Sequence, residues 1–434
     1  MLLIGVARCD ISPPEGIDLS GFVARDGPCT GTHDPLTATA IVATDGHDGV
    51  AITSCDLIGL GAAMVQRVRI GVERRTRIPA GAQMLACTHT HGGPETGVIT
   101  TIGAADPAYL ARLERTLVDV VAEASSAVAP AHVGWGRGEC HAAFNRRQPP
   151  GIIWPIDPDV MVGRIAHRDG TPLATLLHYT CHPVAAGAAN RLATADWCGV
   201  TRRLLEDQGT GPVLVMNGAA GDINPIMESR GYHAVEQTGR SVAEAALALW
   251  QRAVPKQTSG VSAASARCPV SFLPLPDDRA RTILWQEWLA IRDREAPDSV
   301  TLRGAMVTHR NHVQKLARLI WGSDTLPTLL AETQVVRIGP IMVASLPGEF
   351  FSAFGREVKD ATPGDPVMIA AWSNDNLGYF PTRGQYLYGG YEVDIAYRYY
   401  GYPAAWSPES GELVTAQAAA LIQQVRRDSK ERSG

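Results

Sequence analysis

The sequence predicts an α/β fold with mixed β-sheets flanked by helices, and three observations carry that expectation. Short apolar runs rich in β-branched residues alternate with longer segments of helical spacing. Glycine, proline, aspartate and asparagine punctuate the boundaries between them. At 434 residues and 45% hydrophobic side chains, the chain can bury a large layered core. No internal repeat or low-complexity linker divides it, so one domain spanning 1–434 is expected, with a partly helical excursion around 255–330.

Taken in order, IGVARCDI, LTATAIVATDG and GVAITSCDLIGL read as strands joined by turns at SPPEG and DGHDG. AAMVQRVRIGVERRTR has helical spacing. MLACTHTHGGPE, Met84 to Glu95, is an apolar strand running into two histidines and a glycine-proline turn. DPAYLARLERTLVDVVAEASSAV follows as a helix capped by Asp106. AHVGWGRGECHAAFNRR is extended, and PDVMVGRIAHRDGTPLATLLHYTCHP is a hairpin turned at Asp169-Gly170. A helix around GVTRRLLEDQ, the buried strand PVLVMNG and the helix HAVEQTGRSVAEAALALWQRAV come next. The excursion holds an alternating strand, VSAASARCPVSFLPL, and the charged helical segments DDRARTILWQEWLAIRDRE and HRNHVQKLARLI. ETQVVRIGPIMVASLPGEF is a hairpin with its turn at Gly339-Pro340, leading into the helix FFSAFGREV. The strand PVMIAAWSND, a tyrosine-rich loop from Tyr379 to Tyr402 and the amphipathic helix GELVTAQAAALIQQVRR close the order.

Composition excludes several classes of partner. A net charge of -5 and a pI near 6.2 offer no electrostatic footprint for nucleic acid or anionic lipid. No apolar run is long enough to span a bilayer, and the start lacks a basic signal-peptide region. The eight cysteines are scattered without a CxxC pair, as expected of free thiols in a reducing cytoplasm. The expected partner is therefore a small molecule, with no membrane insertion; homo-oligomerisation is compatible with the sequence.

Chemistry gathers at strand ends. In a strand, alternate side chains share a face, so His89 and His91 are expected to project the same way. Two readings stand for this stretch alone: a pair of metal-ligating imidazoles, or a polar strand end bonded to backbone. Three further apolar strands end in polar residues: LLHYTCHPVAAG with His182, VLVMNGAAGDINP with Asp222 and Asn224, and MVASLPGEF with Glu349. Ligands collect at the carboxyl ends of strands in open α/β sheets, and two histidines with a carboxylate are a set that catalytic zinc sites use. Neither HExxH nor GxSxG occurs, and GAAGD lacks both the P-loop lysine and a GxGxxG fingerprint.

Together THTHGGP, the His182-Pro183 pair, AAGDINP, LPGEF and the spacing from Tyr379 to Tyr391-Glu392 resemble the catalytic domain of neutral ceramidases, zinc-dependent amidases that cleave sphingolipid N-acyl bonds. The resemblance runs from GVARCDI to the last helix. It implies zinc held by His89, His182, Glu349 and Tyr379, with His91 beside the metal or moving a proton. It further implies that Arg146 contacts substrate or oxyanion, and that Tyr391 donates near the scissile carbonyl. Two departures matter. Asn224 in GDINP stands where that family has the serine of GDVSP, and the immunoglobulin-like domain of those enzymes has no counterpart here.

The expected function is zinc-dependent hydrolysis of an amide bond in a small soluble substrate by water activated at the metal. Asn224 is then a hydrogen-bond donor and no acyl-enzyme forms. The alternatives are an esterase or lactonase using the same site, and a non-catalytic metal-stabilised binding protein. Asp222 is expected to order its loop or a ligand imidazole, and His178 to serve the core or support the ligands. Asp196 is either part of a family motif or a helix cap. Ile152, Ile153 and Trp154 either line the substrate pocket or form an ordinary packed loop.

Overall fold

The computed structural model describes residues 1–99, 102–147, 154–274 and 328–431. Among them, helices, an eight-stranded sheet, a four-stranded sheet and further helices stack as four layers. The large sheet contains β1 (Leu3–Asp10), β2 (Thr37–Thr44), β3 (Gly49–Cys55), β4 (Gln83–Cys87), β5 (Ala129–Glu139), β7 (Asp159–His167), β8 (Pro172–Tyr179) and β9 (Val213–Asn217). Their order is β4-β3-β2-β1-β5-β7-β8-β9. Only the outermost pairs, β3 with β4 and β8 with β9, are parallel.

The second sheet runs β11 (Val261–Val270), β12 (Leu329–Ile338), β13 (Ile341–Ser345), β15 (Val367–Ala370). Two small ribbons stand beside the sheets: β6 (Ala143–Asn145) with β10 (Ile223–Pro225), and β14 (Glu349–Phe350) with β16 (Tyr379–Phe380). The hairpin expected at Gly339-Pro340 joins β12 to β13. Within the excursion, β11 forms as a strand; the two charged helical segments lie outside the described residues.

Side-chain alternation sets the layers. Val160, Val162, Leu177, Val213 and Val215 face α1 (Ala62–Thr76), α2 (Pro107–Ser126), α3 (Trp197–Glu206) and α4 (Tyr232–Arg252). Their neighbours Met161, Leu176, Leu214 and Met216 point the other way, onto Ile338, Ile341 and Val343 of the second sheet. That sheet's outer face, with Met342, Ala344 and Ile369, is covered by α5 (Ser352–Asp360) and α6 (Pro408–Glu431) through Phe354, Val358, Val414, Ala418 and Ile422. Strands buried on both faces read as continuous apolar runs, which is why PVLVMNG shows no alternation of polarity. Each fully buried aliphatic side chain stabilises the stack by about 1.5–3 kcal/mol.

Caps end the helices where the sequence places them. Asp106 accepts from Tyr109 N at 2.6 Å, with Pro107 in the first turn of α2. Among the described residues no helix is long and apolar enough to cross a membrane.

Candidate metal and active site

The large sheet curls until the carboxyl ends of its edge strands meet. Asn217 at the end of β9 donates through Nδ2 to Thr88 O beyond β4 at 2.8 Å, and Ser54 Oγ on β3 donates to Val215 O at 2.8 Å. The second sheet joins the same corner, since Ala371 N donates to Asn217 O at 2.9 Å and Cys87 N to Trp372 O at 3.2 Å. Loops that leave β4, β8, β9, β13 and β15 therefore converge.

His89 and His91 do converge, but not by strand alternation. β4 ends at Cys87, and His89 has a left-handed backbone with φ 65°. The period-two argument fails there, because the residue is in a turn and not in the pleat. The turn is held from outside: the His89 ring stacks on Trp372 at 4.2 Å and 9°, and Trp372 is itself left-handed with φ 49°. Such backbone strain persists only where surrounding packing fixes it.

Three imidazoles meet. The candidate ligand atoms of His89, His91 and His182 all lie within 4.8 Å of one another. His89 Nδ1 lies 2.6 Å from Ile58 O, and His182 Nδ1 lies 3.1 Å from Ala220 O. A carbonyl only accepts, so each Nδ1 carries a proton and each Nε2 is turned toward the cluster. His91 Nε2 sits 3.0 Å from His182 Nε2, while its buried Nδ1 has no hydrogen-bond partner. Burial first, then neighbouring imidazoles and arginines, push the His91 and His182 rings well below the usual histidine range, so both are neutral.

Glu349 completes the cluster. Its Oε2 is buried without a hydrogen-bond donor and lies 3.4 Å from His89 Nε2 and 3.8 Å from His182 Nε2. Burial pushes the carboxyl up, but His89 and the hydroxyls of Tyr400 and Tyr379 outweigh it and hold the group below the usual carboxylate range. Tyr379 arrives by register, paired with Glu349 in the parallel ribbon of β14 and β16. Gly221 packs its backbone against Glu349, where a Cβ would stand 2.5 Å from Glu349 O. A glycine is therefore required by the close approach.

Arg146 braces the far side. Its Nη2 donates to Gly221 O at 2.7 Å, Glu392 Oε1 at 3.0 Å and Tyr379 Oη at 3.1 Å, and its Nη1 reaches Asn224 Oδ1 at 3.4 Å. Asn224 sits on β10 opposite Phe144. Tyr391 contacts the Tyr379 ring edge-on at 5.7 Å, and the Arg147 guanidinium lies 5.8 Å from its ring centre. His89, His91, His182, Glu349, Tyr379, Arg146, Asn224 and Tyr391 thus share one neighbourhood.

Other expected residues lie elsewhere. Asp222 orders the loop alone, accepting from Ser352 N and Asn145 Nδ2, both at 2.7 Å; the His182 imidazole is held by Ala220 O and not by this carboxylate. Asp196 is the cap of α3, accepting from Trp197 N at 2.8 Å and, through Oδ2, from Ala186 N at 2.8 Å. His178 is buried on β8 between Met216 O and Ile369 O. Trp154 borders a cavity of about 610 Å³ with Phe144, Asn145, Asp157 and Lys359. Ile152 and Ile153 lie outside the described residues. Sequence reasoning missed Tyr400, Trp372 and the Ile58 carbonyl; only the polar run after the apolar PVMIAA hinted at Trp372.

No family model matches the chain. Two solved structures share its fold. A ceramidase complexed with C2 superposes with a TM-score of 0.75 at 15% identity, over 98% of this chain and 75% of that one. A neutral ceramidase from Pseudomonas aeruginosa superposes with a TM-score of 0.73 at 17% identity and the same coverage. At these identities the likeness is one of fold.

Proposed function

We propose that this chain is a zinc-dependent hydrolase of ceramidase type that cleaves the amide bond of a small soluble substrate. One observation carries the reading: the Nε2 atoms of His89 and His182 and a Glu349 oxygen without a hydrogen-bond partner converge on one buried space. Imidazole nitrogens and a carboxylate oxygen are ligand atoms, and a divalent cation between them makes such a buried set favourable. The residues that fit it are His89, His182, Glu349 and Tyr379. Burial and then Glu349 push the Tyr379 hydroxyl well above the usual tyrosine range, so it would meet the metal as a neutral hydroxyl, with the Arg146 guanidinium donating to its oxygen as the opposing influence. A metal held there supplies Lewis acidity and acidifies water.

The chain's own groups account for the rest. His91, with one ring nitrogen directed at His182 and the other unpartnered, is placed to accept a proton and pass it to the leaving amine. Arg146 commits Nη2 to protein, which leaves Nε, without a hydrogen-bond partner, and Nη1, whose contact with Asn224 is long, as donors available to a developing oxyanion. Tyr391 flanks the same space. Asn224 accepts from Arg146 through Oδ1, which leaves its Nδ2 donor for substrate or the attacking water. A carboxamide is no acyl acceptor, so hydrolysis runs in one step.

The test is elemental analysis of native protein together with rapid-quench mass spectrometry during amide turnover. About one zinc per chain, amidase activity lost on chelation and no covalent acyl adduct are expected. Absence of metal with activity intact after chelation would sink the reading, and a trapped adduct would overturn the one-step route. Asn224→Ala is expected to lower turnover by about a hundredfold while keeping the zinc.

A further inference from the structure

The rim beside His91 carries more guanidinium than carboxylate. The Phe22 ring lies 4.8 Å from the His91 ring, and two arginines cover that phenyl ring, Arg25 and Arg230, each with its guanidinium carbon 5.3 Å from the ring centre. Arg25 gives its N–H groups to three carbonyls, Ser20 O, Asn190 O and His91 O, which fixes the His91 loop but leaves the charge uncompensated. Arg230 packs its stem on Gly187, in the loop after His182, and has no carboxylate partner among the described residues. Asp196, the acid whose field reaches it, already holds backbone N–H groups of Trp197 and Ala186. Across the cluster, Arg146 and Arg147 share a single buried carboxylate, Glu392. Glu349 does not redress the balance, because its free oxygen faces the histidines.

From this imbalance we propose that the substrate carries a carboxylate within a few bonds of the scissile amide, and that Arg230 receives it. The proposal rests on the amide-hydrolase reading and names its substrate class. Arg230 is held by its stem and by the Phe22 face while its N–H edge stays unclaimed, and a planar guanidinium edge matches a carboxylate in two parallel hydrogen bonds. Arg25 and Arg146, whose charges also act on His91, add an attractive field for an anion. A neutral lipid amide would leave this charge without a counterpart. In the reaction, water oxygen bonds to the acyl carbon, the C–N bond breaks, and the amine nitrogen takes the proton. The products are a carboxylate and an amine, one of them bearing the second carboxylate that Arg230 holds.

Two matched pairs test the assignment on native enzyme: N-butyrylglycine against N-butyrylethanolamine, and N-ethylsuccinamate against N-ethylbutyramide. One carboxylate member is expected to exceed its neutral partner in kcat/KM by on the order of tenfold to a hundredfold, chiefly through KM. That ratio should collapse in Arg230→Met and recover in part in Arg230→Lys. Equal cleavage within both pairs, or a ratio unmoved by Arg230→Met, would overturn the carboxylate subsite while leaving the hydrolase intact. If no amide is cleaved, the hydrolase reading falls, and calorimetric titration of N-butyrylglycine decides the subsite separately: binding lost in Arg230→Met supports it, and absence of binding overturns it.

Discussion

Two buried clusters descend from the same strand, β8, and they are built on opposite electrostatic plans. Around His178 the carboxylates are held by donors: Lys359 Nζ donates to Asp157 Oδ1 at 2.5 Å and Asp159 Oδ2 at 2.6 Å, Thr180 Oγ1 donates to Asp157 at 3.0 Å, and Arg137 donates to Asp159 at 2.5 Å. His178 Nε2 itself stays without a hydrogen-bond partner, 4.0 Å from Asp157 Oδ2. Around His182, four residues further on, three imidazoles crowd a Glu349 oxygen that has no hydrogen-bond partner and, among the described residues, no lysine or arginine ion pair. The first cluster carries its own cation, Lys359, on both carboxylates and explains itself as structure. The second has no such internal cation on its carboxylate among the described residues and could hold a metal in its place, so burial of a histidine beside a carboxylate is weak evidence of function until the charges around it have been placed.

The widest separation between the two is expected in metal content. His89→Ala with His182→Ala should abolish bound zinc and turnover, whereas His178→Ala should retain the metal; elemental analysis of the two folded proteins reads the contrast, and equal metal loss would erase it. Next comes Lys359→Met, which strands Asp157 and Asp159 without their shared cation. A loss of about 3–5 kcal/mol in urea unfolding is expected, with zinc per chain unchanged.

Acid should distinguish the clusters too. Burial, with Lys359 nearby, pushes the His178 ring down to about 4. The folded state then binds its proton later than the unfolded chain does, so this histidine's contribution is fully present above roughly pH 6.5 and is lost as pH falls towards 4. The loss is on the order of 3 kcal/mol across that window, and a His178→Gln chain should lack this component in a pH series of unfolding free energies. The smallest effect is expected of Tyr400→Phe, which removes the hydroxyl donor to Glu349 Oε1. Zinc affinity measured by competition with a chelator should fall about tenfold or somewhat more; no change would assign Tyr400 to packing alone.

Apolar runs, turn residues and caps made the elements legible, because each reflects a local preference that the fold does not override. The polar residues at strand ends were legible for the same reason: an apolar strand that stops at His182 or Glu349 exposes an unusual residue at a predictable place. What escaped depends on contacts between distant segments. The left-handed turn at His89 follows from its stack on Trp372, and Tyr400 reaches Glu349 only after the tyrosine-rich loop folds back. The four-layer order was equally hidden, since strands buried on both faces carry no mark of which face meets a sheet and which a helix. Of the two roles open to Asp222, ordering its loop is the one the structure shows, because Ala220 O and not the carboxylate reaches the His182 ring.

The curl that brings β4 to β9 also dictates when the cluster can come into being. Its side chains are drawn from positions 89, 182, 349 and 379, so its assembly waits on long loop closures whose entropy must be met by contacts formed earlier. Topologies dominated by such distant pairings fold slowly. A chain emerging during synthesis presents its first two histidines long before the glutamate exists to join them. A metal that binds the full set, as proposed, would accordingly be captured late, and in a refolding experiment its time course would report the closing of the last layer and not the collapse of the first.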